Sequence, residues 1–273
     1  MIPTTARRFT VGVAMCAWIT MGLLGMWEPA IQAAPAKSKA TKPTGCVTCH
    51  SDSKLFVRNP KLYEYYQFWK LSAHGQEDIS CVKCHGGDPK SLDADKAHGG
   101  ASIAASEKNS AINFRNIPKT CAKCHKAIYE EYRQSPHFQH LQGDKDEAQG
   151  PNCVTCHGSV NTAVLRVSSV RATCATCHNE ETDNSPEIPA QAELVLSKML
   201  SVSRYYRYIG VRGEPDDVRS FFRVVDPSME RLATHWHSFD IDEVEKETRD
   251  LLTVLKLKRQ EIQKARKLSK GKS

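Results

Sequence analysis

The stretch CVTCH at residues 46–50 recurs letter for letter at 153–157. Three near-copies accompany it, CVKCH at 81–85, CAKCH at 121–125 and CATCH at 174–178. The segments between copies have little in common, so the repeat is chemical rather than architectural. Ten of the eleven cysteines lie in these five pairs, and a histidine follows every second cysteine. A disulfide framework would also use cysteines in even numbers, but it has no reason to place a histidine after each pair. A thioredoxin-like motif needs one C-x-x-C beside a βαβ pattern, and no such pattern is present. Zinc ribbons join C-x-x-C pairs two by two into four-ligand sites, which an odd number of pairs fits poorly.

Covalent haem c attachment accounts for every feature. The thiols Cys46 and Cys49, Cys81 and Cys84, Cys121 and Cys124, Cys153 and Cys156, and Cys174 and Cys177 would each add across the vinyl groups of one haem. The adjacent His50, His85, His125, His157 and His178 would ligate the five irons. First cysteines recur every 21 to 40 residues up to residue 180, and none follows. The expected organisation is a leader at 1–36, a linker at 37–44, a pentahaem domain at 45–180 and a haem-free helical extension with a basic tail at 181–273. The haem half has few large apolar residues, so porphyrins rather than leucines are expected to form its core. The fold class expected is mainly α with extensive irregular loops, a multihaem cytochrome c fold.

Arg7 and Arg8, nineteen uncharged residues from Phe9 to Trp27 and a run of small residues make a secretory signal pattern. Haem c is attached outside the cytoplasmic membrane, so the motifs and an exported, periplasmic location agree. The apolar run also reaches the lower limit of a spanning helix, which leaves an uncleaved anchor, and membrane contact through 9–27, as the alternative. Cys16 stands within that run and does not suit lipid attachment, because the larger Met15 precedes it. The formal charge of +7 does not imply a nucleic-acid partner. Removing the leader leaves about +6, and two propionates on each of five haems reverse the sign to about −4.

A longer repeat surrounds the motifs. Trp69-Lys-Leu-Ser72-Ala-His74 aligns with Tyr132-Arg-Gln-Ser135-Pro-His137 as aromatic, basic, any residue, Ser, small, His. Sites one and two thus group around His74, and sites three and four around His137. A short aromatic-rich helix is expected to deliver each histidine. Beyond site five, Leu196, Met199, Leu200, Ser203 and Tyr206 predict a helix ending near Gly210. Val244, Leu251, Leu255 and Ile262 predict a second, longer helix capped by Asp240 or Asp242. Together these would form a helical hairpin, followed by a frayed basic tail.

Five irons need five further axial ligands if all are six-coordinate, and six histidines remain: His74, His98, His137, His140, His235 and His237. Methionines are too few to serve most sites, which favours bis-histidine ligation. His98 is flanked by glycines that let a macrocycle approach. His140 lies three residues from His137 and shares its helical side. His235 and His237, two apart in THWHSFD, would point opposite ways in an extended segment, with one returning to the haems.

CAKCHKAIYEEYRQSPHFQH followed by CVTCHG, and FWKLSAHG followed by CVKCHGG, resemble the multihaem c-type cytochromes related to the tetrahaem electron acceptor of hydroxylamine oxidoreductase. The resemblance covers about residues 45–180. It implies distal-ligand roles for His74 and His137 and closely stacked haem pairs. This chain has five motifs rather than four, and it adds the extension. The helical tail also resembles octahaem and pentahaem enzymes of nitrogen metabolism, but the C-x-x-C-K of pentahaem nitrite reductases is absent. The expectation is an electron carrier of a respiratory chain, with redox proteins as donor and acceptor, rather than an enzyme. The alternatives are an oxidoreductase acting on a small nitrogen or sulfur species at one open haem, and a membrane-anchored quinol dehydrogenase feeding a periplasmic reductase.

Overall fold

A computed structural model describes residues 44–99, 104–143 and 150–270. The leader, Cys16 and most of the linker lie outside them. Among the described residues every regular element is helical, and no helix is long and apolar enough to cross a membrane. They all fall within one compact unit, Lys37–Ser273.

The first part of the unit is a chain of short helices joined by turns. In order these are α1 Gly45–His50, α2 Ser53–Arg58, α3 Pro60–Leu71, α4 Ala73–Gln76, α5 Val82–His85 and α6 Ala94–His98. Then come α7 Ile117–Cys121, α8 Lys126–Tyr132, α9 Pro136–Gln142, α10 Cys153–His157 and α11 Val167–Ala175. Such short helices are not stable alone, and here side-chain caps define their ends. Asp52, Asn59, Asp93 and Asn152 each accept a backbone N–H from the helix that follows. Apolar burial is sparse. Tyr132, Leu141 and Val170 are the large apolar side chains buried here, while Phe56, Phe68, Leu71, Leu92, Phe114 and Val164 stay exposed.

The last part is three long helices, α12 Ile188–Arg212, α13 Pro215–His235 and α14 Ile241–Lys270, with a 3-10 turn Trp236–Ser238 between the last two. Their cores follow a spacing of seven: Val195, Val202 and Ile209 on α12, and Val218, Val225 and Leu232 on α13. Val244, Leu251, Leu255 and Ile262 complete the cluster from α14. That spacing keeps one stripe of each helix turned to its neighbours. Polar ties cross the bundle. Tyr206 donates to Asp226 Oδ1 at 2.7 Å, Lys258 pairs with Asp217 at 2.7 Å, and Lys198 pairs with Glu245.

Several expectations change. The extension is a three-helix bundle rather than a hairpin. Residues 215–235, with Pro227 inside them, continue as a full helix. α12 passes through Gly210 and stops at Gly213, and its buried stripe is Val195–Val202–Ile209, with Leu200 and Ser203 exposed. The tail from Lys264 remains helical to Lys270. On α14 the four predicted core residues are all buried, and Asp240 Oδ1 accepts from Glu243 N at 3.1 Å.

Candidate haem-binding site

Each C-x-x-C-H occupies one helical turn, which sets both sulfurs on one side with the histidine beside them. α1 carries Cys46, Cys49 and His50, and α10 carries Cys153, Cys156 and His157. In the other three motifs the histidine N–H donates to the carbonyl of the first cysteine at 2.9 Å, in His85 to Cys81, His125 to Cys121 and His178 to Cys174. All ten cysteines are free thiols. No group of three or more His, Cys, Asp or Glu among the described residues converges to hold a metal ion by itself. The pairs are therefore not the halves of zinc ribbons, and they suit a ligand that arrives with its own metal.

The histidines carry the next observation. An imidazole nitrogen sits about 2 Å from a first-row metal and the ring centre about 1 Å behind it, so two rings sharing one ion have centres about 6 Å apart. Four motif histidines face another histidine at that separation. His50 faces His98 at 6.4 Å, His74 faces His125 at 6.1 Å, His137 faces His178 at 6.0 Å, and His157 faces His237 at 6.1 Å. The six-residue repeat does not serve its nearest motifs. His74 lies against motif three and His137 against motif five, so the two modules expected from the sequence interlock.

Hydrogen bonds orient several of these rings. Nδ1 of His157, His178 and His237 lies 2.9, 2.9 and 3.2 Å from the carbonyls of Ala163, Asn184 and Thr234. An Nδ1–H held by a carbonyl leaves the Nε2 lone pair for a metal. Nδ1 of His137 is buried without any hydrogen-bond partner, an arrangement that costs free energy unless something else satisfies the ring. Burial pushes His137 down to about 4, with His178 and His140 adding to the effect. Burial also lowers His50, His85 and His237. Metals bind the neutral ring, so these environments favour the ligand form.

The serines that precede His74 and His137 do identical work. Ser72 Oγ donates to the Trp69 carbonyl at 2.7 Å and accepts from Gly75 N at 3.0 Å. Ser135 Oγ donates to the Tyr132 carbonyl at 2.7 Å and accepts from Phe138 N at 3.2 Å. Each serine ties the end of an aromatic helix to the start of a second helix that carries the histidine. The single delivering helix expected from the sequence is thus two helices with a serine corner. The expected extended segment around His235 and His237 is a helix end followed by the 3-10 turn. Phe239 just beyond it packs 4.3 Å from the His137 ring, a contact the sequence reading missed.

The thiols record which motifs adjoin. Cys46 raises the Cys81 thiol, and Cys121 and Cys124 raise Cys84, each beyond the effect of burial. The Cys121 and Cys153 thiols act on each other, lowering the first and raising the second. Burial, with the thiols of Cys174 and Cys177, pushes Cys156 up to about 11. Thiols of successive motifs thus influence one another in chain order, from one to five. Haem attachment would turn these thiols into thioethers, which do not titrate.

Three histidines remain outside the pairs. His85 has no histidine ring opposite it among the described residues. His235 Nδ1 is bound to Glu247 Oε2 at 3.0 Å. His140 is exposed on α9.

Residues 104–179 match the family described as cytochrome c7 and related cytochrome c. The match spans motifs three, four and five. No curated protein and no solved structure matches the chain. The matched segment is that of a multihaem c-type cytochrome, whose covalently held haems serve electron transfer.

Proposed function

We propose that the chain is an exported carrier of electrons in a respiratory chain, holding five haems c. The four histidine pairs at about 6 Å are the observation that carries this reading, because that is the separation two imidazoles on opposite sides of one metal ion require. In this reading His50 and His98, His125 and His74, His157 and His237, and His178 and His137 are the axial pairs. The cysteines of each motif would hold one haem, and His85 would be the motif ligand of the second site. Bound haem supplies reversible one-electron chemistry at iron, with a potential set by ligands, burial and hydrogen bonds. The protein's part is to keep the imidazoles neutral, fix their tautomers through the Ala163, Asn184 and Thr234 carbonyls, and place successive sites against each other. Bis-histidine ligation favours low potentials.

The partners in this reading are a donor and an acceptor redox protein, and nucleic acid is not among them. The resemblance of residues 45–180 to relatives of the hydroxylamine oxidoreductase acceptor supports protein partners. A periplasmic location follows from haem c attachment and from the signal pattern at 1–36.

The test is haem content per chain, together with the EPR spectrum of the oxidised protein. Five haems with at least four low-spin signals are expected. Ring-plane angles should be visible there. The 79° crossing of His50 and His98 keeps the iron π orbitals nearly degenerate and predicts a highly anisotropic signal, while 26° at His157 and His237 predicts a rhombic one. Three haems bound only at motifs three to five would defeat the pentahaem reading.

A further inference from the structure

Two charged regions lie at opposite ends of α12, and neither has an ionic partner among the described residues. The first is the turn that leads into the helix. Glu180, Glu181, Asp183 and Glu187 are all exposed there, and no lysine or arginine occurs between Arg171 and Lys198. The second is the far half of α12 with the adjoining part of α14. Arg204, Arg207 and Arg212 are exposed, and no acidic residue occurs between Glu193 and Glu214. Arg259 of α14 lines the same groove as Arg204. Its guanidinium is 5.2 Å from the centre of the Tyr205 ring and 5.5 Å from that of Tyr208, which holds it in place. By contrast, Lys198, Lys258, Arg219 and Arg231 each pair with a carboxylate of the bundle itself.

The two regions cannot meet within one chain. Ten residues separate Glu187 from Ser197, and ten more separate Ser197 from Arg207. The acid and the arginine thus stand about 30 Å apart along the helix. An exposed line joins them. Leu194, Ser197, Leu200, Arg204, Arg207 and Val211 recur at spacings of three and four, so they share one face, and all six are exposed. The face points away from the Val195, Val202 and Ile209 stripe that enters the core.

We infer that this face is a self-association surface, and that its occupant is α12 of a second copy, antiparallel about a two-fold axis at Ser197. Charge complementarity selects that occupant. A pair centred on Ser197 sets Glu187 of each copy level with Arg207 of the other, and the acidic turn before Glu187 level with Arg212. Ser197 at the crossing is small enough for the helices to approach, and Leu194 and Leu200 stand three residues to either side of it. Such an interface is self-complementary, because each copy supplies both the acids and the arginines. Arginine suits the role, since its planar fork binds a carboxylate through two hydrogen bonds. An anionic membrane or an acidic protein would match the arginines but would be opposed by the acids of the same helix. The extension, which carries no C-x-x-C-H, thereby has a task of its own.

The test is sedimentation velocity of the purified holoprotein at low and high ionic strength. A dimer that dissociates as salt rises is expected. Glu187→Arg and Arg207→Glu should each weaken dimerisation by at least about tenfold. Far-ultraviolet circular dichroism should be unchanged in both, because both residues are exposed. An equimolar mixture of the two variants should recover the dimer, since each reversed charge then meets its opposite across the two-fold. A wild-type protein that stays monomeric at both ionic strengths would overturn the inference. Binding of that monomer to phosphatidylglycerol vesicles, or to polyglutamate, would give the arginines a membrane or an acidic protein as occupant instead. A dimer that neither variant weakens would also overturn it, by placing the contact elsewhere.

Discussion

The hydroxyl of Ser135 has two hydrogen bonds, and both are local. It donates to Tyr132 three residues back and accepts from Phe138 three residues ahead, as Ser72 does with Trp69 and Gly75. Replacing a capping serine by alanine costs about 0.5–2 kcal/mol, and here the corner that aims a histidine goes with it. Ser135→Ala should therefore lower the unfolding free energy by that amount and broaden the low-spin signal of the pair that includes His137. Ser135→Thr should restore most of both, since it keeps the hydroxyl. Equal stability in the alanine variant would mean that the corner is set by Pro136 and not by Ser135. At this scale the sequence was informative wherever chemistry and spacing coincide. C-x-x-C-H reads directly because two vinyl groups and one iron impose a fixed local pattern. Ser-x-His was visible as a repeat. Its destination was not, because His74 reaches His125 and His157 reaches His237 across long stretches of chain whose path no local pattern records.

Among the elements, α14 and α13 show what periodicity reveals and hides. On α14, Val244, Leu251, Leu255 and Ile262 alternate by seven or four with charged residues between them, and all four are buried. On α13 the stripe Val218, Val225 and Leu232 has the same spacing. It is diluted by Pro227 and by acidic neighbours, which argue locally against a helix. Pro215 in the first turn, with Asp216 and Asp217 beside it, is the start signal that would have revealed it. Packing against two neighbours then outweighs the proline. Leu255 is fully buried in the centre of the cluster, so Leu255→Ala should cost about 2–5 kcal/mol. Chemical denaturation followed by far-ultraviolet circular dichroism measures it. The Soret band at the start of the titration should be unchanged, because Leu255 lies in the α12–α14 cluster, to which no C-x-x-C-H residue belongs. A loss well below that range would mean that the bundle relaxes around the gap.

At the level of the whole molecule, apolar burial is divided unevenly. The large cluster belongs to α12, α13 and α14, whereas the motif-bearing helices leave Phe56, Phe68, Phe114 and Val164 at their surface. The two regions meet where the Trp236–Ser238 turn brings His237 to His157 and Phe239 to His137 and Tyr132. The bundle is thus joined to the motif-bearing helices through these ring contacts. His237→Ala should convert one haem, that of motif four, from low-spin to high-spin while haem content stays the same. EPR with parallel haem quantification reads both. An unchanged low-spin count would show that another group reaches that iron. The overall class was legible from five short motifs. That His237 rather than His235 faces a motif histidine, and that it faces His157, was not legible, since a histidine far beyond the last C-x-x-C-H carries no mark of its destination.

The reach of His237 to His157 also has a consequence in time. In the exported reading proposed above, a chain leaving a membrane channel would present motif four before residue 237. In the five-haem reading, the cysteines of motif four would be available for loading before α12 and α13 bring His237 to His157. During that interval the iron of this haem would be accessible to thiols, peroxide and stray ligands. A cell growing under oxidative stress should accumulate damage at this haem in preference to those whose partner histidines are already in place, and slow synthesis of the extension should make the damage worse.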